Sequence, residues 1–292
     1  MKMCSNQGDV REFESSQSRK FDMDAARQLA KRVRIDVLEM IHSSHASHIG
    51  SAFSCVEIVV ALYSGVANVD PRNPLLSGRD RIVLSKGHAG VALYATLAEC
   101  GYFPREELAA YYQDGGRLSG HISHKNVPGV ELSTGSLGHG VCVAAGMALA
   151  EKISRTNSRV YAIVGDGECE EGSVWEMALF AAHHNLDNFT VVVDHNRMQA
   201  MGFCEQEIGL SDLESKWRAF GWNVISVPDG NDIAQVFSAL TRRDQGRPTV
   251  IVAYTVKGKG VSFMENELLW HYRDPQDKCY EMARRELMEE LA

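Results

Sequence analysis

Residues 160–196 read VYAIVGDGECEEGSVWEMALFAAHHNLDNFTVVVDHN, and the fold can be built outward from them. Two short apolar runs, 160–164 and 189–193, are dense in β-branched and aromatic residues and read as buried strands. The stretch between them, 174–184, has the length and apolar content of a covering helix. Strand, helix, strand with no hairpin turn is a parallel unit, and continuous apolarity means that both faces of each strand are covered. Gly165-Asp166-Gly167 follows the first strand directly, and Asp194-His195-Asn196 follows the second. Ligands of open α/β sheets bind outside the carboxyl ends of the strands, so Asp166 and Asn196 are expected to converge. A carboxylate, an amide oxygen and a backbone carbonyl at Met198 would form a hard-oxygen donor set. Such a set suits magnesium bridging to phosphate oxygens and does not suit zinc. Gly-Asp-Gly alone is also ordinary turn chemistry; it is the placement at two strand ends that marks a site. Gly165 and Gly167 would admit phosphate close to the backbone.

On the amino-terminal side, Leu29, Val33, Val37 and Ile41 recur every four residues and predict a helix over 24–41. A second helical run covers 55–62. Pro71, Pro74 and Gly78 mark a loop, after which 81–84 is a short strand ending in a Ser85-Lys86-Gly87-His88 turn, with a helix from Ala89. Residues 115–140 are rich in glycine, serine and histidine and lack periodicity, which predicts a long functional loop. A buried helix is expected at 141–150. On the carboxyl-terminal side come a strand at 224–227, a helix at 232–240, a strand at 249–256, a flexible loop carrying Lys257 and Lys259, and a charged helix at 279–291. The expectation is an α/β, three-layer sandwich with a mostly parallel central sheet. Residues 1–20 are polar and aperiodic and read as an arm, leaving 21–292 as one domain.

With 30 basic and 38 acidic residues the formal charge is −8, a poor counterpart for nucleic acid phosphates. Seven cysteines without a CxxC pair read as isolated small hydrophobes, which suits a reducing compartment. No apolar stretch follows the first charges, and no run reaches the length of a membrane span. A soluble, cytoplasmic protein with neither a nucleic-acid nor a membrane partner is expected.

His48, His88 and His121 stand in polar, glycine-bearing contexts (SHIG, SKGHAG, SGHI) with no metal-ligand spacing around them. Proton transfer, or hydrogen bonding to a charged, phosphate-bearing or hydroxylated ligand, fits them. His183 and His184, in FAAHHN, read instead as ordinary core or surface residues. Two adjacent acids, Glu170 and Glu171, would be repelled by a nearby phosphate. One of them is expected to face elsewhere, at a subunit contact, or both form a solvated acidic helix start. No GxSxG elbow points to an esterase.

Taken together, GDGECEEG, DHNRMQ, SKGHAG, SGHI, VELSTGSLGHG, VWEMALFAAHHNLDN and TVKGKGVSFMENELLWH resemble the amino-terminal part of the transketolase family, across about 21–275. The resemblance implies a thiamine-diphosphate-binding fold and a magnesium ion, for which calcium or manganese can substitute. It implies metal ligation by Asp166, Asn196 and the Met198 carbonyl. Cofactor contacts fall to His88, Gly135, Leu137, Gly165, Asp166, Gly167, Glu168 and Asn196. Catalytic roles fall to His48, His88, His121 and His271, and Glu171 matches the acid that couples paired active sites. Where the family usually has glycine before the first histidine, this chain has Ser47, with Ile49 and Gly50 after it; His139 stands where many relatives carry glutamine.

A complete transketolase also carries a pyrimidine-binding domain and a carboxyl-terminal domain. The resemblance therefore implies that this chain is the amino-terminal subunit of a split enzyme. Its partner would be a separate carboxyl-terminal subunit, with self-association into an α2β2 assembly and sugar phosphates for substrates. The implied reaction transfers a two-carbon ketol unit from a ketose phosphate to an aldose phosphate. The alternatives are an unusual sugar phosphate substrate and a non-catalytic scaffold role.

Overall fold

The computed structural model describes residues 21–207, 212–242, 244 and 246–291. The expected arm at 1–20 lies outside the described residues. Five strands, β1 (Arg81–Leu84), β2 (Val160–Gly165), β3 (Phe189–His195), β4 (Asn223–Val227) and β5 (Thr249–Tyr254), form one sheet in the order β1-β2-β3-β5-β4. All four pairings are parallel.

Alternate side chains of each strand enter opposite layers, as a period of two requires. Tyr161, Ile163, Val192, Ile225 and Ile251 face one apolar layer. That layer is built with α1 (Met23–Ser44), α2 (Ile49–Ser54), α3 (Val56–Ala61), α4 (Gly90–Glu99), α9 (Ile233–Thr241) and α10 (Asp277–Leu291). Val160, Ala162, Val164, Val191, Val193, Val250 and Val252 face the other layer, which holds α5 (His139–Ile153), α6 (Gly172–His183) and α8 (Leu213–Ala219). The sheet is thus covered on both sides, and this three-layer α/β sandwich is the expected architecture.

Helix α1 starts where the Asp22 carboxylate accepts from Ala25 N at 2.9 Å, supplying one of the bonds a helix start lacks. It ends at His45 in the left-handed region, φ 54°. Its four-residue stripe, Leu29, Val33, Val37 and Ile41, is buried.

Some boundaries differ from the sequence reading. The helix expected at 55–62 is found as α3, preceded by a helix the sequence reading lacks, α2, from which Cys55 (φ −101°, ψ 9°) divides it, and followed by a wide turn, Leu62–Val66. Helix α5 begins at His139, inside the segment read as loop. Between β3 and β4 lie two short helices without a counterpart in the sequence reading, α7 (Cys204–Glu207) and α8. Strand β4 takes the sheet edge, so the last strand in sequence, β5, inserts next to β3. No helix among the described residues is long and apolar enough to cross a membrane.

Candidate active site

The β2–β3 register pairs Gly165 with Asp194, so the two polar triplets leave the sheet side by side at its carboxyl edge. There a cavity of about 260 Å³ is lined by Asp166, Asn196, Met198, Gly165, Gly167 and Glu168, by Gly135 and Leu137, and by His48, His88, His121 and His271. Every residue singled out for metal, cofactor or catalysis meets there, with Ser51, Lys86, Gln199 and Ala200 beside them. A larger cavity of about 370 Å³ lies on the other side of Asp166 and shares only that residue with it. It contains none of these histidines.

Asp166, 6% exposed, accepts from Gly167 N at 2.8 Å and from the Arg197 backbone, and His195 Nδ1 lies 3.2 Å from its Oδ2. Asn196, 5% exposed, donates through Nδ2 to Ser54 Oγ at 3.3 Å and Asp194 Oδ2 at 3.4 Å. Its Oδ1 accepts from Met198 N at 3.1 Å. One carboxylate, one amide oxygen and the Met198 carbonyl meet the chemistry of a magnesium site completed by phosphate oxygens. Among the described residues no cluster of three His, Cys, Asp or Glu offers a softer metal a site.

The histidines come from four separate segments. Ring centroids of His48 lie 5.3 Å from His88, 5.7 Å from His121 and 5.1 Å from His271. His48 precedes α2 with φ 75°, a conformation uncommon outside glycine. Its N–H donates to the His271 carbonyl at 2.8 Å, tying the two segments together. The His88 turn packs tightly because a Cβ on Gly87 would strike the Thr134 backbone. Gly87 O accepts from Ile122 N at 3.1 Å, which anchors the His121 segment beside it. His121 itself is exposed at the cavity rim.

Burial, then the charges of His121, Lys257 and Lys86, holds His48 down at about 4. Burial, Lys257, His48 and Lys86 hold His271 at about 3. His88 is lowered strongly by burial and by Lys86. These rings are neutral at physiological pH, so they exchange hydrogen bonds as imidazoles.

Two lysines and an aspartate belong to the site: Lys86 and Asp194, to which the sequence reading gives no role there, and Lys257, expected on a flexible loop. Lys257 is 0% exposed, contrary to the flexible loop expected for TVKGKG. Its ammonium donates to Gln199 O at 2.9 Å and Met198 O at 3.3 Å and meets His271 Nδ1 at 2.9 Å. Burial, with Lys86 nearby, lowers it to about 8. Lys86 and Asp194 form an ion pair at 1% and 0% side-chain exposure. Burial opposes the Lys86 charge, but Asp194, together with Cys55 and Asp166, leaves the lysine's pKa raised. The signal present in the sequence is a charged residue at each strand end, Lys86 after RIVLS and Asp194 after FTVVV.

Glu168 is spent on the protein. It accepts from Ser85 Oγ at 2.5 Å, Gly138 N at 2.9 Å and Gly165 N at 3.1 Å, so it joins the ends of β1 and β2 to the start of α5. Of the two adjacent acids, Glu170 accepts from Gln199 Nε2 at 2.6 Å, whereas Glu171 is exposed. Exposed too are His183 and His184, on the surface away from the cavity lining, and His139, whose Nδ1 lies 3.1 Å from Leu137 O.

The family model described as "Transketolase, thiamine diphosphate binding domain" matches residues 25–277. The 6-deoxy-6-sulfo-D-fructose transketolase subunit SqwG of Clostridium sp. (strain MSTE9) is 42% identical over 90% of this chain and 96% of its own. An apulose-4-phosphate transketolase subunit of Actinobacillus succinogenes is 40% identical, over 91% and 97%. The crystal structure of transketolase from Campylobacter jejuni superposes with a TM-score of 0.86 at 27% identity, covering 91% of this chain. This chain spans only 43% of that one.

Proposed function

The chain belongs to the transketolase family, by its thiamine-diphosphate-binding domain, and on that premise we propose that it is the amino-terminal subunit of a two-chain transketolase. Its reaction is transfer of a two-carbon ketol unit from a ketose phosphate to an aldose phosphate. The observation that carries this reading is the meeting of Asp166, Asn196 and four histidines around one cavity at the carboxyl edge of a parallel sheet.

Thiamine diphosphate, when bound, supplies the carbon nucleophile and holds the two-carbon unit between donor and acceptor. Everything else is asked of the protein. Asp166, Asn196 and the Met198 carbonyl would hold Mg2+ against the diphosphate, with Gly135, Leu137, Gly165, Gly167 and Glu168 lining its path. His88 would give the anion a hydrogen-bond donor, while the Lys257 ammonium, spent on Gln199 O, Met198 O and His271, would add only its charge. His48 and His271, 5.1 Å apart, would carry protons at the substrate's carbonyl oxygen, and His121 at the rim would bind its hydroxyls.

The partner is a chain supplying the pyrimidine-binding and carboxyl-terminal domains. Exposed Glu171 stands at the start of α6, whose Leu179 and Phe180 are 60% and 38% exposed, and Val143 on neighbouring α5 is 43% exposed. This apolar face supports self-association into an α2β2 assembly. The described cysteines are all free thiols, in keeping with a reducing cytoplasm.

The test is co-purification with the product of the adjacent gene, followed by assay against a panel of ketose and aldose phosphates with thiamine diphosphate and Mg2+. Ketol transfer by the pair, negligible with either chain alone, is expected. A pair that forms but transfers no two-carbon unit would contradict the reading.

A further inference from the structure

Beneath the proposed metal ligands lies a carboxylate that the reaction itself does not use. Asp194 is 0% exposed, and its two oxygens accept from groups on four segments. Ser54 Oγ of α2 donates to Oδ2 at 2.6 Å, and the Lys86 ammonium, from the turn after β1, donates to the same oxygen. The Thr255 hydroxyl, just past β5, donates to Oδ1. The fourth donor is the amide nitrogen of Asn196, 3.4 Å from Oδ2. Lys86 also donates to Ser51 O at 3.1 Å, so α2 is tied to the pair twice.

An asparagine presents a donor on one side of its amide and an acceptor on the other. An ionised carboxylate accepts only, so Asp194 can face the Asn196 amide nitrogen and not its oxygen. That turns Oδ1 away, toward the turn where it accepts from Met198 N at 3.1 Å. We propose that Asp194, held by Lys86, is the positioning residue that fixes the Asn196 amide so that its oxygen is presented for the metal. The inference rests on the cofactor reading above and deepens it. Support of this kind behind a metal ligand sets affinity by about ten- to a hundredfold.

The test is Mn2+ affinity of the chain assembled with its partner subunit, at saturating thiamine diphosphate, read by electron paramagnetic resonance, alongside thermal unfolding. Asp194→Leu removes the acceptor at nearly constant shape and should weaken Mn2+ at least about tenfold. Adding Asn196→Asp should recover much of the loss, since a carboxylate shows an oxygen in either orientation. If Asp194→Leu leaves Lys86 too costly to bury and the chain does not fold, Lys86→Met/Asp194→Leu removes both members of the pair and takes its place. Either folded variant binding Mn2+ within twofold of the wild type would overturn the proposal. Loss without recovery on adding Asn196→Asp would overturn it as well, and would assign Asp194 a purely structural role. A wild-type assembly that fails to bind Mn2+ with thiamine diphosphate would overturn the cofactor reading, and this inference with it.

Discussion

Burial beside lysines keeps His48 and His271 neutral, and this has a measurable consequence for stability. Their folded values, about 4 and about 3, lie below the roughly 6.5 of an unfolded chain. As pH falls, the unfolded state takes up protons first. The stability these rings contribute is therefore complete above about pH 6.5 and is lost progressively as pH drops toward 4 and 3. His271→Asn, which cannot titrate, should flatten part of that acid slope in chemical unfolding; identical slopes would show that His271 is not held neutral. His121 sits exposed at the rim, so His121→Ala should leave cofactor affinity intact. It should lower kcat/KM of the assembled enzyme about tenfold or more, the value of a lost hydrogen bond to substrate. A fall in cofactor binding, with kinetic constants at saturating cofactor unchanged, would mean that His121 serves the cofactor instead. Asp166 and Asn196 are legible in the sequence because the strands before them are unmistakably apolar. The Lys86–Asp194 pair is not, because its members are 108 residues apart and no local pattern joins them.

Among the elements, the turn after β5 carries more constraint than its sequence suggests. Two lysines, each followed by glycine, look solvated in TVKGKG, yet Gly258 N donates to Gly50 O at 3.0 Å and Val256 N to Asn231 Oδ1 at 2.8 Å. Arg34 Nε adds a bond to Lys259 O at 3.1 Å, while the Arg34 guanidinium is itself locked on buried Glu57 at 2.6 and 2.7 Å. Gly258 has φ 82°, and a Cβ there would strike the Met264 carbonyl. Gly258→Ala should cost about 1–2 kcal/mol from conformation alone, with the clash adding to it. Gly101→Ala, at φ 84° with open space around it, should show the conformational cost alone. Equal losses for the two variants in thermal unfolding would contradict the packed turn that buries Lys257. The helices covering the sheet are readable from their periodicity. The break at Cys55 and the short helix α8 are not, since six- and seven-residue helices offer too few turns for a period to emerge.

For the molecule as a whole, a single architectural fact organises the chemistry. Parallel strands deliver polar residues to one edge, and the segments bearing site residues are pinned there by buried polar contacts of Glu168, Asp194, Lys86 and Lys257, except that of His121, which is held on the Gly87 carbonyl. The three-layer plan follows from apolar runs separated by helices, so it is readable from sequence; the strand order, with β5 inserted beside β3, depends on long-range packing that no window contains. The account stands on Asp166 and Asn196 sharing one hard cation with a diphosphate. Calorimetric titration of thiamine diphosphate into the assembled wild-type and Asp166→Ala proteins, with and without Mg2+, tests it most directly. The account predicts Mg2+-dependent binding by the wild type and its loss in the variant; an affinity unchanged by the substitution would contradict it.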